Sequence, residues 1–435
     1  MRTMILAGAA MLALISGSVV ADAATPVNGR QVASEIRKLL DANYVLPEAR
    51  PKFDAVLAKG IASGRYDVSD PDKLSELLNE DLHTVTPDKH LGVMVDPETS
   101  AKLAAAPPDA GADDAPPTAD DIADAKRRNS GLIQMKILPG NVRYLETDGF
   151  VWAGEVTERA YDDAARFLSG GDAVIIDMRK NGGGDPSAVR YLVSHFLAPN
   201  TPLMTFHMGA TRVDTTAALP KTIAPRMVGK PLYVLTSGGT ASAAEEFVGH
   251  VAGYKLGELI GENTAGAGFR NQFYALPDGL IISISVGQAI LASTGKGWEG
   301  VGFAPNTVVP VGQALDVAEA HALTRIAASA PADRKRALEV QAAMLLAKTA
   351  PVKTALLPAA YAGDYGERLV RAEGDSLTIE RKGGATSKLV PIGPNEFAYE
   401  NDPGATVTFD VAGDRATALH LVRSDGSTAE GTRTQ

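Results

Sequence analysis

AVIIDMRKNGGGDP (173–186) and LYVLTSGGTASAAEEF (232–247) have the same plan: an apolar run, a glycine-rich turn, then the opening of a helix. Short, β-branched apolar runs bounded by glycine fit strands covered on both faces. Ala173–Asp177 and Leu232–Thr236 are therefore predicted strands, with helices over Pro186–Leu197 and Ala241–Gly253. Outward from these, Val142–Leu145 reads as a strand, 154–168 as a helix and LIISISVG (280–287) as another strand. Strands alternating with helices imply βαβ units and a largely parallel α/β sheet. In such sheets ligand crevices lie beyond the C-terminal strand ends, where both glycine turns fall.

The flanks differ. Val32, Ile36, Leu39 and Leu40, and then Phe53, Val56, Leu57 and Ile61, follow a helical period. A third helix opens with Asp70 as cap and Pro71 at its first position, then repeats Leu74, Leu77, Leu78 and Leu82. Residues 25–103 are predicted to be an N-terminal helical bundle. Residues 104–130, rich in Ala, Pro and Asp without hydrophobic period, read as a linker, too short for a further domain of ~50 residues. The α/β core is assigned to 131–312 and a helical connection to 313–350. From 351 to 435 alternation such as Leu377/Ile379 and Val407/Phe409/Val411 predicts a small all-β domain.

The formal charge of −10 argues against nucleic acid as a partner, because phosphate neutralisation needs clustered Lys and Arg. Cysteine is absent, which excludes disulfides and thiolate chemistry. Met1-Arg2-Thr3, an apolar stretch from Met4 to Val20 and Ala21-Asp22-Ala23 read as a secretory signal peptide over 1–24. The apolar stretch, interrupted by Gly8, Ser16, Gly17 and Ser18, is short for a bilayer span, so a periplasmic or secreted protein without stable membrane insertion is expected. No HExxH or EF-hand pattern occurs, so neither metal nor cofactor is expected.

Ser242 sits where glycines give way to a helix, beside free backbone N–H groups that favour negative charge. Acyl transfer needs that layout, although Thr240 or Ser242 could equally be a helix cap. Gly182-Gly183-Gly184 is either a tight turn or a set of exposed amides; it lacks the Gly-Lys-Ser/Thr ending of a phosphate loop.

NGGG after IID, TSGGTASAAEEF, GENTAGAG (261–268) and WEGVGFAPN (298–306), in that order, resemble the C-terminal processing, or tail-specific, serine protease family (serine peptidase family 41). The resemblance spans roughly 30–312 and is nearest the branch of the tricorn core and interphotoreceptor retinoid-binding proteins. It implies a crotonase-like (ClpP/crotonase-type) spiral core. It also implies Ser242 as nucleophile, with the Ala243 amide and that of Gly183 or Gly184 as oxyanion donors. The lysine used by the commoner branch is replaced by Ala267, so a Ser–Lys dyad is not expected. The tricorn branch instead implies His90, in TPDKHLGV, as base and Glu299 as the acid that orients it. Asn306 departs from the Asp that the family often carries. His250, eight residues along the helix from Ser242, is about 12 Å away and out of reach. His83 reads as a surface or packed residue, and Glu245 and Glu246 as structural charges in a first helical turn. The function implied is hydrolysis of peptides or unfolded protein tails through an acyl-enzyme. Alternatives are a carrier of apolar ligands on the same fold, or an esterase or amidase using the same serine.

Overall fold

Every residue of β4 (Ala173–Asp177) is buried, because the strand is covered on both faces. The computed structural model describes residues 27–105, 116–209 and 211–434; the signal peptide expected over 1–24 lies outside them. Among the described residues no helix is long and apolar enough to cross a membrane.

In chain order, α1 (Gly29–Asn43), α2 (Arg50–Ser63) and α3 (Pro71–His83) lead to β1 (Gly92–Val95), α4 (Pro97–Ala105) and α5 (Ala119–Arg127). Then come β2 (Leu132–Leu138), β3 (Val142–Thr147), α6 (Glu155–Ser169), β4 and α7 (Pro186–Ser194). After β5 (Pro202–Met208) and β6 (Arg212–Ala217) follow β7 (Leu232–Thr236), α8 (Ala243–Gly253), β8 (Glu258–Gly261), β9 (Phe269–Ala275), β10 (Leu280–Leu291) and β11 (Thr307–Val308). Helices α9 (Ala314–Ala327) and α10 (Ala332–Thr349) precede the C-terminal strands.

One sheet has the order β11-β8-β7-β4-β3-β2, parallel except for the antiparallel edge strand β2. Alternate residues of β4 separate two cores. Val174 and Ile176 pack with Tyr161, Leu168, Leu192 and Phe247 of α6, α7 and α8. Ala173 and Ile175 pack with Val317, Leu323 and Leu338 of α9 and α10. The 313–350 stretch is therefore a layer of the core and more than a connection: its Ala, Val and Leu stripe covers one sheet face, broken only at Pro331.

A second, antiparallel sheet has the order β1-β10-β5-β6, with β9 also paired to β10. Helices α1, α2 and α3 bury Ile36, Leu40, Phe53, Leu57, Leu74 and Leu78 against Leu280, Ile282 and Ile284 of β10. The helices expected as a bundle thus share their core with a sheet. The 104–130 stretch, expected as a linker, contains α5, whose start is set by a reciprocal cap between Thr118 and Asp121.

The C-terminal part is an eight-stranded antiparallel meander between Gly363 and Thr432, in sequential order. An antiparallel bridge, with Thr434 N–H donating to Asp364 O at 2.8 Å, brings its two ends together like a barrel. Phe409 sits at its centre, its ring centroid 5.1 Å from Tyr361 and 5.7 Å from both Tyr365 and Phe397. Replacing Phe409 with Ala is expected to cost the barrel about 3–5 kcal/mol. Urea unfolding of the variant should show far-UV circular dichroism beginning to fall ahead of tryptophan fluorescence, since Trp152 and Trp298 both lie outside the barrel.

Candidate active site

The loops after β4 and β7 lie side by side and are sewn together. Thr240 Oγ1 donates to Met178 O at 2.8 Å, Ser237 Oγ to Arg179 O at 2.6 Å, and Ala241 N–H to Asn181 O at 3.1 Å. Thr240, read from sequence as a possible cap, pins one loop to the other. The packing demands glycine at 183. A Cβ there would lie 2.7 Å from Ser242 Cβ and 3.0 Å from Ala243 N, and its φ of +111° disfavours any side chain.

Ser242 itself has φ +52° and ψ −122°, a strained setting for a non-glycine residue at the strand-to-helix turn. Its N–H donates to Glu245 Oε2 at 3.1 Å. Glu245 is fully buried, and its carboxylate also accepts from Thr264 Oγ1 (2.6 Å), Gly266 N–H (2.7 Å) and Ala267 N–H (2.7 Å). Glu245 thus holds the GENTAGAG loop against the start of α8. Ala267 spends its amide on this carboxylate.

His90 arrives from the loop between α3 and β1. Asp88, 1% exposed, accepts the His90 backbone N–H at 2.9 Å and the Tyr44 hydroxyl at 3.1 Å, which fixes the loop beneath α1. Lys89 Nζ donates to Ala265 O, joining this loop to GENTAGAG. The outcome is a contact of 3.0 Å between His90 Nε2 and Ser242 Oγ, across 152 positions of sequence. His90 Nδ1 is buried and has no hydrogen-bond partner among the described residues.

Glu299 lies half-buried nearby, with Oε2 accepting Gly268 N–H at 2.6 Å and Phe269 N–H at 2.9 Å. One donor atom each of Asp88, His90 and Glu299 falls within 4.8 Å of the others, although Glu299 makes no hydrogen bond to His90. Burial is the main cause that pushes the Glu299 carboxyl up to about 7, with Asp88 and Glu245 adding to it against the two amides. Burial also holds the His90 imidazole below its ordinary value, opposed by Asp88 and Glu245.

Of the glycines singled out in sequence, Gly183 donates its N–H to Asn181 Oδ1 at 2.9 Å. Gly184 lines a small cavity of about 40 Å³ with Ser242, Ala243 and Trp298. That cavity shares Pro186, Phe206, Glu246 and Arg270 with a larger cleft of about 300 Å³. Glu246, read from sequence as structural, is 4% exposed and borders both. His250 is buried in α8, and His83 bonds Leu91 O at 3.0 Å. Asn306 exchanges two hydrogen bonds of 2.8 Å with the backbone of Leu259, a task its amide performs without needing a charge. Sequence reasoning missed Asp88, Tyr44 and Asn181; only the turn-forming Pro87-Asp88 beside His90 carried a signal.

Fold and site together define a layered α/β protein with a serine, a histidine and two carboxylates gathered at the C-terminal strand ends. The model for peptidase family S41 matches residues 141–309, and that for the N-terminal domain of peptidase S41 in eukaryotic IRBP matches 27–136. Over these two stretches, 27–136 and 141–309, the chain matches peptidase family S41. It is similar to a carboxyl-terminal-processing protease from Synechocystis, 29% identical over 143 residues, and spans only 32% of that relative's length and 32% of its own. Among solved structures, a lipoprotein from Streptococcus agalactiae is 16% identical with a TM-score of 0.49, over 69% of this chain and 98% of its own. A photosystem II D1 C-terminal processing protease is 17% identical with a TM-score of 0.42, over 66% and 94%. Both are partial likenesses.

Removing the Glu245 carboxylate by Glu245→Ala leaves four donors facing a dry gap and is expected to cost at least about 3 kcal/mol. Denaturant unfolding should show it, with Glu245→Gln intermediate because one acceptor oxygen survives.

Proposed function

We propose that the protein is an exported serine peptidase that cleaves peptides or unfolded protein tails. The observation that carries this reading is the 3.0 Å contact between His90 Nε2 and the oxygen of a backbone-strained serine. The substrate class comes from the family and from a relative named as a carboxyl-terminal-processing protease. Export rests on the basic start and apolar run within residues 1–24.

In the mechanism proposed, Ser242 Oγ attacks the scissile carbonyl carbon while its proton passes to His90 Nε2. The carbonyl oxygen, now negative, is held by the Ala243 N–H at the helix start and by an amide of the glycine loop. Gly184 suits this better than Gly183, whose N–H is already given to Asn181. His90 returns the proton to the departing amine nitrogen as the C–N bond breaks. Water then attacks the acyl-serine ester, giving its proton to His90, and the acid product leaves with Ser242 restored. Glu299, with Asp88, stabilises the His90 imidazolium and keeps the active tautomer. Residues 131–312 would be the catalytic core and 25–103 the part that delivers His90. We read the sheet with helices on both faces as the crotonase-like spiral.

Labelling of the mature protein by a serine-directed fluorophosphonate is expected at Ser242 and should need His90. Cleavage of casein or a peptide library should fall by at least about 10³-fold in both Ser242→Ala and His90→Ala. A well-folded protein that neither labels nor cleaves overturns the reading.

The charge of Glu299 sets the pH dependence. Below about 7 its carboxyl is protonated and offers the imidazolium no counter-charge; above, it is ionised. The His90 base, held below its ordinary value, remains neutral through that range. The ratio kcat/KM should therefore rise with pH through about 7. In Glu299→Gln activity should be low and this limb absent from the pH–rate profile.

A further inference from the structure

Resting on the reading above for its consequence, but not for binding itself, a second property emerges from the same cluster. His90 presents one ring nitrogen to Ser242 and leaves Nδ1 buried without a partner. Glu299 spends Oε2 on two amides, and no hydrogen bond to Oε1 is found among the described residues. Each Asp88 oxygen accepts one hydrogen bond and so keeps a lone pair. Asp88 and Glu245 both add negative charge near Glu299, while the adjacent Lys89 is turned to Ala265 O. Two carboxylates thus lie close to an imidazole nitrogen that has no hydrogen-bond partner among the described residues.

We infer that Asp88, His90 and Glu299 form a regulatory site for a borderline divalent cation of the zinc type, and that its occupation switches off the serine. One imidazole and two carboxylates suit zinc better than magnesium, which prefers all-oxygen, octahedral surroundings. Tetrahedral coordination at about 2.1 Å sets donors about 3.4 Å apart. The present limit of 4.8 Å closes to that with side-chain rotations of about an ångström. Asp88 is anchored by Tyr44 and Glu299 by two amides, so two ligands are already oriented from behind.

The inactivation follows from proton counting. In the active tautomer Nδ1 carries the hydrogen and Nε2 offers its lone pair to Ser242. A metal ion bound at Nδ1 takes that nitrogen's lone pair, so the one hydrogen of neutral imidazole must reside on Nε2. Nε2 then donates to Ser242 Oγ and has nowhere to accept the serine's proton. Any proton carried by Glu299 leaves to solvent as the cation binds. Activity returns when a chelator removes the ion.

The test separates binding from catalysis. Zinc affinity is measured on metal-stripped, full-length mature Ser242→Ala protein by competition with a chromophoric chelator, and again after adding Glu299→Gln or Asp88→Asn. One zinc ion per chain is expected, weakened by about tenfold or more in each added variant, with far-UV circular dichroism showing both folded. His420, which contacts Asp410 and Glu430 on the barrel, is the competing site, so His420→Ala should leave the affinity unchanged. On the wild type, zinc should slow fluorophosphonate labelling by at least about tenfold and EDTA should restore it, while magnesium has no effect. Saturable zinc absent from Ser242→Ala, or affinity insensitive to Glu299 and Asp88 but lost with His420, overturns the inference. Labelling and cleavage by the metal-free enzyme would still stand for the peptidase reading, so the two fail separately.

Discussion

A single buried carboxylate holds the centre of this molecule. Glu245, on the first turn of α8, gathers a backbone amide from its own helix start together with one hydroxyl and two amides from the 264–267 loop. An ionised group removed from water is tolerated only when its lone pairs are filled, and here four donors fill them. The loop so captured hands its next amides, those of Gly268 and Phe269, to Glu299. The placement of the second carboxylate is thus inherited from the first.

The histidine comes to the serine by a different route. Its loop hangs between α3, which packs on the antiparallel sheet, and β1, which pairs with β10. Tyr44 and Asp88 set its depth. Ser242 belongs to the parallel sheet and Glu299 to a loop strapped across it, so the site lies where separate hydrophobic cores abut. Such a seam brings Asp88, Glu245 and Glu299 together, and burial there is the main cause that pushes the Glu299 carboxyl up, with the two neighbouring carboxylates adding to it. The cation site inferred above lies in this cluster, although the sequence contains no HExxH or EF-hand pattern.

Much of the layered core was legible because its strands are short, bounded and fully buried. Ala173–Asp177 and Leu232–Thr236 have the limits that their apolar runs suggested. Less visible were the edge strands. β2 alternates apolar and polar residues over Ile133–Ile137, but it exposes Ile133, Met135 and Ile137, so no buried face marks it and it is held by pairing with β3. The helix α5 hid in an Ala- and Asp-rich stretch whose signal was a cap and not a hydrophobic period. Helix was expected over 313–350, but the role of α9 and α10 as a covering layer depends on which sheet face lay uncovered.

What the sequence by itself determined is local: strands, helix starts, and two glycine turns that lead into helices with a serine at one of them. Backbone propensity, proline and glycine chemistry and apolar period act over a few residues and can be read one segment at a time. What only the tertiary structure decided is which distant groups meet. That His90 stands 3.0 Å from Ser242, that Gly183 spends its amide on Asn181, and that the last eight strands close through Thr434 and Asp364 are facts of packing. They follow from how buried faces pair across the chain, and no local term in the energy distinguishes His90 from the other histidines before that pairing is made.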